Sequence, residues 1–209
     1  MENLRYSSHI KTERLEKKTE QSSQEIFDSL YFAARRSLKY HDYRQSHFKF
    51  WVDCIVFTSI ALGAISAYIF AYEDQIASPT EGLSIYFKTS FPLTITLINA
   101  LLLVFRLFDK HQIHMNLRIK FQELAAHLEN LKIEGDISVE TIARANQQRA
   151  EIQVNEPKVL RVLDVMCHNE TNQSLGHNHN FYKIRSYQKW FAKYFDLGPI
   201  SFKEQEART

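Results

Sequence analysis

The chain has 209 residues, 26 Lys and Arg against 24 Asp and Glu, and two cysteines. This length does not hold two large soluble domains beside a membrane segment, and a net charge of +2 offers no basic field for nucleic acid. Cys54, in an apolar run, and Cys167, in a polar-flanked one, form no disulfide framework, which fits a reducing compartment.

The first 21 residues, MENLRYSSHIKTERLEKKTEQ, are charge-rich and poor in apolar side chains, and are expected to be a flexible N-terminus. They contain no apolar core of a cleavable signal peptide, so membrane insertion falls to later segments. From about Ser22 a helical pattern starts, with Ile26, Leu30, Ala33, Ser37 and Tyr40 at three- and four-residue steps. The same seam passes Arg44 and His47 to Trp51, which predicts one helix running on into the next segment.

That segment is CIVFTSIALGAISAYIFAY, Cys54 to Tyr72, nineteen residues without a charge. As a helix it reaches about 29 Å, close to the ~30 Å hydrocarbon thickness of a bilayer. A second run, TSFPLTITLINALLLVF, Thr89 to Phe105, reaches about 26 Å. The two predict membrane spans at about 52–72 and 89–105, joined as a hairpin, since the connection 73–88 is too short for a domain. The alternative, two core helices of a soluble bundle, seldom needs nineteen uncharged residues. The chain's mean hydropathy of −0.34 averages these spans with its polar remainder.

Basic residues gather outside both ends of the hairpin: Arg35, Arg36, Lys39, Arg44 and Lys49 before it, Arg106, Lys110, Arg118 and Lys120 after it. The connection carries Glu73, Asp74 and Glu81 against Lys88 alone. The positive-inside rule then puts both termini in the cytoplasm.

After the second span, Leu117, Phe121, Leu124, Leu128 and Leu131 form a heptad-like, coiled-coil stripe flanked by charges, ending where Gly135 supplies a cap. With the seam before the first span it predicts a pair of antiparallel helices packed as a stalk. Asp136 or Ser138 caps a helix through about Ile152, with Val139, Ile142 and Ala145 inward. Asn155-Glu156-Pro157 reads as the next helix start, with proline at the first helical position and Leu160, Leu163, Met166 and Cys167 inward, up to Leu175-Gly176. Last comes YKIRSYQKWFAKYF, with aromatic and basic residues interleaved. The expected fold is an all-α membrane protein: a two-helix transmembrane hairpin with its juxtamembrane stalk over 22–135, cytoplasmic C-terminal helices over 136–197 and a tail over 198–209.

No P-loop, Rossmann fingerprint, nucleophile elbow or zinc-binding cysteine pair is present, which predicts no catalytic residue, cofactor or metal and a protein that is not an enzyme. Cys167 and His168 point about 100° apart on a helix and suit one metal poorly, with His177 and His179 in a loop beyond. His41, His47, His111 and His114 sit near the inner membrane face, where solvated or lipid-facing rings are the plainer reading and a pH input the sharper one.

Asp53 and Arg106 stand at the cytoplasmic ends of the two spans at matching depth, so an ion pair across the hairpin is the favoured arrangement over separate snorkelling. Ser59, Gly63 and Ala67, with Ser66 beside them, have the small-residue spacing that lets helices approach closely in lipid. Thr96, Asn99, Leu103 and Arg106 share a face of the second span, where the amide serves as glue between helices or lines a wet path. The terminal segment has two readings as well. Either Trp190, Lys189 and Lys193 meet the headgroups of anionic lipid, or the segment packs on the stalk.

The order of YFAARRSLKYHDYRQSHFKFW, the two-span hairpin, the leucine-striped helix, VLRVLDVMCHNETNQSLG and YKIRSYQKWF resembles the SLATT family of two-transmembrane effectors in bacterial conflict systems. The resemblance covers about Ser23 to Phe195 and rests on layout. It implies a homo-oligomer in the bacterial inner membrane that permeabilises it in anti-phage defence. It further implies activation by a nucleotide-sensing or second-messenger-producing partner, or by a small molecule bound by the cytoplasmic helices, with no such sensor or synthase domain in this sequence. Read from the residues, two functions compete: a pore-forming effector, and a membrane-anchored helical interaction module whose hairpin only tethers it.

Overall fold

The computed structural model describes the backbone of residues 2–71, 81–176, 181–195 and 204–205, and the side chains of 21–71, 90–176 and 181–195. The fold is all-α, with six helices among the described residues: α1 Glu2–Ala71, α2 Glu81–Val104, α3 Leu107–Glu134, α4 Val139–Gln153, α5 Arg161–Ser174 and α6 Ser186–Phe191. Two strands of two residues each, β1 Phe181–Tyr182 and β2 Glu204–Gln205, pair antiparallel. The connection 73–80, the side chains of the N-terminal segment 1–20, His177, His179 and most of the 198–209 tail lie outside the described residues, and the expectations placed on them lie there too.

The chain divides into two compact units. One holds residues up to Asp42 and from Asn116 onward; the other is Tyr43–Met115. α1 and α3 each contribute to both.

In the first unit, α1, α3 and α4 close a core around Phe27, Leu30, Tyr31, Ala34, Phe121 and Leu124. The α3 stripe is legible as written, because Leu117, Phe121, Leu124, Leu128 and Leu131 are all buried in this chain's own core. The α1 seam is met in part: Leu30 and Tyr40 are buried as expected, and Ala33 and Ser37 are half-buried. Phe27, Tyr31 and Ala34 face inward, while Ile26 is exposed. Burying the rings of Phe27 and Tyr31 removes more apolar area from water than burying Ile26 and Ala33 would.

α3 ends at Gly135, whose φ of +75° is the left-handed value glycine reaches without a Cβ penalty, and Asp136 N–H closes back on the Leu131 carbonyl at 3.2 Å. Of the two cap candidates for α4, Ser138 takes the position: its Oγ accepts from Thr141 N–H at 3.2 Å. Ile142, Ala145 and Ile152 are buried, whereas Val139 is exposed.

α5 corrects the reading of Pro157 as a first helical residue. The helix starts at Arg161 with Leu160 extended before it (φ −80°, ψ 112°). The delay has a local cause, since Leu160 N–H donates to the Tyr40 hydroxyl of α1 at 3.0 Å. That bond holds Leu160 extended. Val162, Leu163 and Cys167 pack inward. The terminal aromatic segment forms a shorter helix than its pattern suggests, because Phe181 and Tyr182 pair as a strand and α6 begins only at Ser186. Gln188 Oε1 accepts from Arg185 N–H at 2.9 Å and fixes that start.

In the second unit α1 continues without interruption through Cys54 to Ala71. Phe48 and Ser66 are buried and Val52, Ile55, Ser59, Leu62 and Ile69 half-buried, one face at three- and four-residue steps. Ile95, Ile98 and Leu102 are the half-buried face of α2. α2 and α3 are separate helices, bent by 41° at Phe105-Arg106. Arg106 has φ +48°, a left-handed conformation that is uncommon for a residue with a side chain. Its carbonyl accepts from Lys110 N–H at 3.0 Å, so it opens α3 as it ends α2. One helix, the 51-residue described part of α1 from Gln21 to Ala71, contains a stretch long and apolar enough to cross a membrane.

Candidate functional site

The second unit holds most of the residues singled out in the hairpin. Ser59 Oγ donates to Asn99 Oδ1 at 3.2 Å, joining α1 to α2 through the amide expected to act as glue or lining. Ser66 lies two helical turns further along the same face and is buried. Gly63 and Ala67 do something different. A Cβ on Gly63 would meet no atom within 4 Å, and Ala67 is exposed, so no contact among the described residues uses their small size. Thr96 returns its hydroxyl to its own helix, donating to the Pro92 carbonyl at 2.9 Å, as Thr58 does to Cys54 at 2.8 Å. Leu103 is 79% exposed.

Asp53 and Arg106 do not pair across the hairpin. Lys49 Nζ donates to Asp53 Oδ2 at 2.7 Å, one turn away on α1, and Arg106 Nε donates to Asp109 Oδ2 at 2.8 Å in the first turn of α3. Two physical reasons favour this arrangement. Partners three or four residues apart on a helix meet with little ordering of long side chains, and Asp109 sits at the positive end of the α3 dipole.

Below these pairs, Phe48 organises an aromatic and cationic cluster. Its ring stacks on His114 at 5.6 Å and 15°, and the Arg44 guanidinium lies 4.5 Å above it. Lys110 Nζ reaches within 6.0 Å, and His111 Nδ1 lies 3.3 Å from the Gln45 carbonyl oxygen. Of the four histidines singled out from the sequence, His47 and His111 are half-buried. His114 and, in the first unit, His41 are buried. The sequence signal was there in retrospect: both fall at helical spacing on the apolar faces of their helices, His41 seven residues after Ala34 and His114 three before Leu117.

The first unit contains a polar cluster that pattern reading did not find. His41 stacks on Phe121 at 5.4 Å and 11° and bonds Glu156 Oε1 through Nε2 at 3.0 Å. Arg36 Nε lies 3.2 Å from Asp164 Oδ1, and Lys39 Nζ donates to the Glu170 backbone carbonyl at 2.9 Å. Together with the Tyr40–Leu160 bond, four consecutive or near-consecutive residues of α1 tie down α5 and the connection before it. Burial raises the Asp164 pKa above the ordinary carboxylate value, with Arg36 acting against the rise. Burial also holds the Arg149 pKa below its ordinary value, with repulsion from Arg36 second.

Cys167 is fully buried on α5, and burial first, then Glu170 and Asp164, push its thiol far above the usual range. It is an inert thiol here, unsuited to nucleophilic or metal chemistry. His168 points elsewhere, edge-on to Phe32 at 5.0 Å and Tyr182 at 5.2 Å. A shallow cleft of about 470 Å³ opens between α1 and α4, lined by Ile26, Leu30, Ile142, Asn146 and Arg149 among others.

In the terminal segment, Trp190 is 80% exposed and Lys189 is exposed beside it, while Lys193 is half-buried. Comparison with family models, with curated proteins and with solved structures finds no match to this chain.

Proposed function

We propose that the chain is a two-span membrane protein of the bacterial inner membrane, both termini cytoplasmic, that assembles as a homo-oligomer and permeabilises that membrane. One observation carries the reading. In the most apolar part of α1, 6% of the residues are buried, whereas the core helix of a soluble protein is mostly covered by its own fold. Phe57, Ile60, Leu97, Leu103 and Val104 lie exposed on both helices of this unit, an apolar surface on the scale of a lipid contact. The hydroxyls of Thr58 and Thr96 are satisfied by carbonyls of their own helices, which is how polar side chains are accommodated in hydrocarbon.

A single two-helix hairpin encloses no aqueous path, so permeabilisation requires several copies, with Gly63, Ala67 and the amide of Asn99 available for contacts or lining. The resemblance of the layout to SLATT effectors supports the same reading and adds a nucleotide-sensing or second-messenger-producing partner as the trigger. The experiment is induced expression of the active form with a potential-sensitive dye. Depolarisation is expected, and Asn99→Leu should blunt it at equal membrane abundance. A full membrane potential with abundant, correctly inserted wild-type protein would overturn the proposal.

The second reading, a tethered interaction module, draws on the Ser59–Asn99 bond, which uses the amide oxygen as internal glue. Replacing both spans with unrelated apolar hairpins separates the two: a tether keeps its function and a pore loses it.

A further inference from the structure

From Phe181 to Phe195 the chain carries four basic residues, Lys183, Arg185, Lys189 and Lys193, and no acidic one. Around α6 the large aromatic residues face outward: Tyr187, Trp190, Phe191, Tyr194 and Phe195 are all exposed. Gln188 and Ala192 take the inward side. Within α6, at about 100° per residue, Tyr187, Phe191 and Trp190 fall within one sector of roughly 100° with Lys189 on its flank, and the turn that follows carries Lys193 and Tyr194. A helix meant for a protein core would turn its rings inward. A short helix and turn meant for bulk water would not carry five of them.

We propose that this aromatic sector is a contact surface for an anionic lipid bilayer, with Trp190 at headgroup depth and the basic flank meeting lipid phosphates. Charge complementarity selects the occupant. A bilayer surface with anionic lipid offers an apolar boundary and negative charge in adjacent layers, matching rings and cations side by side on one short element. Trp and Tyr suit that depth because each has an apolar body and a polar N–H or O–H. The inference rests on the membrane reading only in that it brings a bilayer within reach of the chain.

The chain has two tryptophans, Trp51 in α1 and Trp190 in α6, which makes the test direct. The full-length variants Trp51→Phe and Trp190→Phe each leave one reporter. Both are reconstituted into vesicles of phosphatidylcholine, with or without phosphatidylglycerol, carrying bromine high on the acyl chains. Trp190 should lose about half its emission in the anionic vesicles and clearly less in phosphatidylcholine alone, and Lys189→Gln with Lys193→Gln should erase the difference. Trp51 should be quenched in every vesicle. Quenched Trp51 with unquenched Trp190 overturns this proposal and leaves the membrane reading intact; unquenched Trp51 overturns the membrane reading. Trp190 shielded from aqueous iodide yet untouched by brominated lipid would mean that protein covers it, and would also overturn the proposal.

Discussion

The two units use the same residue types to opposite ends. Leu124 is fully buried and Leu103 is 79% exposed; Phe27 is fully buried and Phe57, on the same helix thirty residues later, is 72% exposed. Composition cannot explain this, since both regions are rich in Leu, Ile and Phe. What differs is the number of neighbours. In the first unit α1 is covered by α3, α4 and α5, while in the second α1 and α2 form a pair with the first turns of α3 at its base. A pair of helices buries one stripe on each and leaves the remainder outward. The apolar excess of the second unit thus needs a solvent other than water or partners of its own kind.

Truncation should break or sharpen this contrast most. Phe121→Ala removes a fully buried ring that packs on His41, and should cost about 3–5 kcal/mol of the first unit's stability. Leu103→Ala removes an equally apolar but exposed side chain, and should change unfolding in detergent by less than about 0.5 kcal/mol. Chemical denaturation of the solubilised protein, followed by circular dichroism, measures both. Similar losses for the two variants would mean that Leu103 is covered by a contact this single chain does not contain.

A smaller effect concerns pH. The raised pKa of Asp164 means that the folded state holds this proton more tightly than the unfolded chain does. The group therefore contributes stability below its ordinary value of 3.8 that is lost as pH rises through that value toward the higher folded one. Asp164→Asn stays neutral throughout and should flatten the dependence of Tm on pH above the ordinary value of 3.8. Parallel profiles for wild type and variant would remove Asp164 from the account.

Much of the fold was legible. The α3 stripe, the Gly135 stop and the Ser138 cap follow from local rules that tertiary packing did not override. The entry to α1 was not: Leu30 and Tyr40 are buried as read, but Phe27 rather than Ile26 turns inward, since both continue a helical seam. Nor was the start of α5. Pro157 is a sound first-turn residue, but the Tyr40 hydroxyl, more than a hundred residues earlier, holds Leu160 extended. The break at Arg106 carries no glycine or proline to announce it. In the hairpin, Asn99 could be named from the cost of an amide in apolar surroundings and Ser59 from its small-residue spacing. The partners of Asp53 and Arg106 went instead to nearer residues of opposite charge. The His41–Glu156 contact joins positions too far apart in sequence for any periodicity to connect.

Collision rates of spin labels test the central claim most directly, with labels at 57 and 97 in the second unit and at exposed Ile133 in the first, on protein reconstituted into vesicles. Hydrocarbon around the hairpin predicts that 57 and 97 relax mainly with oxygen and hardly with a water-soluble nickel chelate, and that 133 shows the reverse. Strong nickel-chelate collisions at 57 and 97, equal to those at 133, would place the hairpin in water and contradict the account.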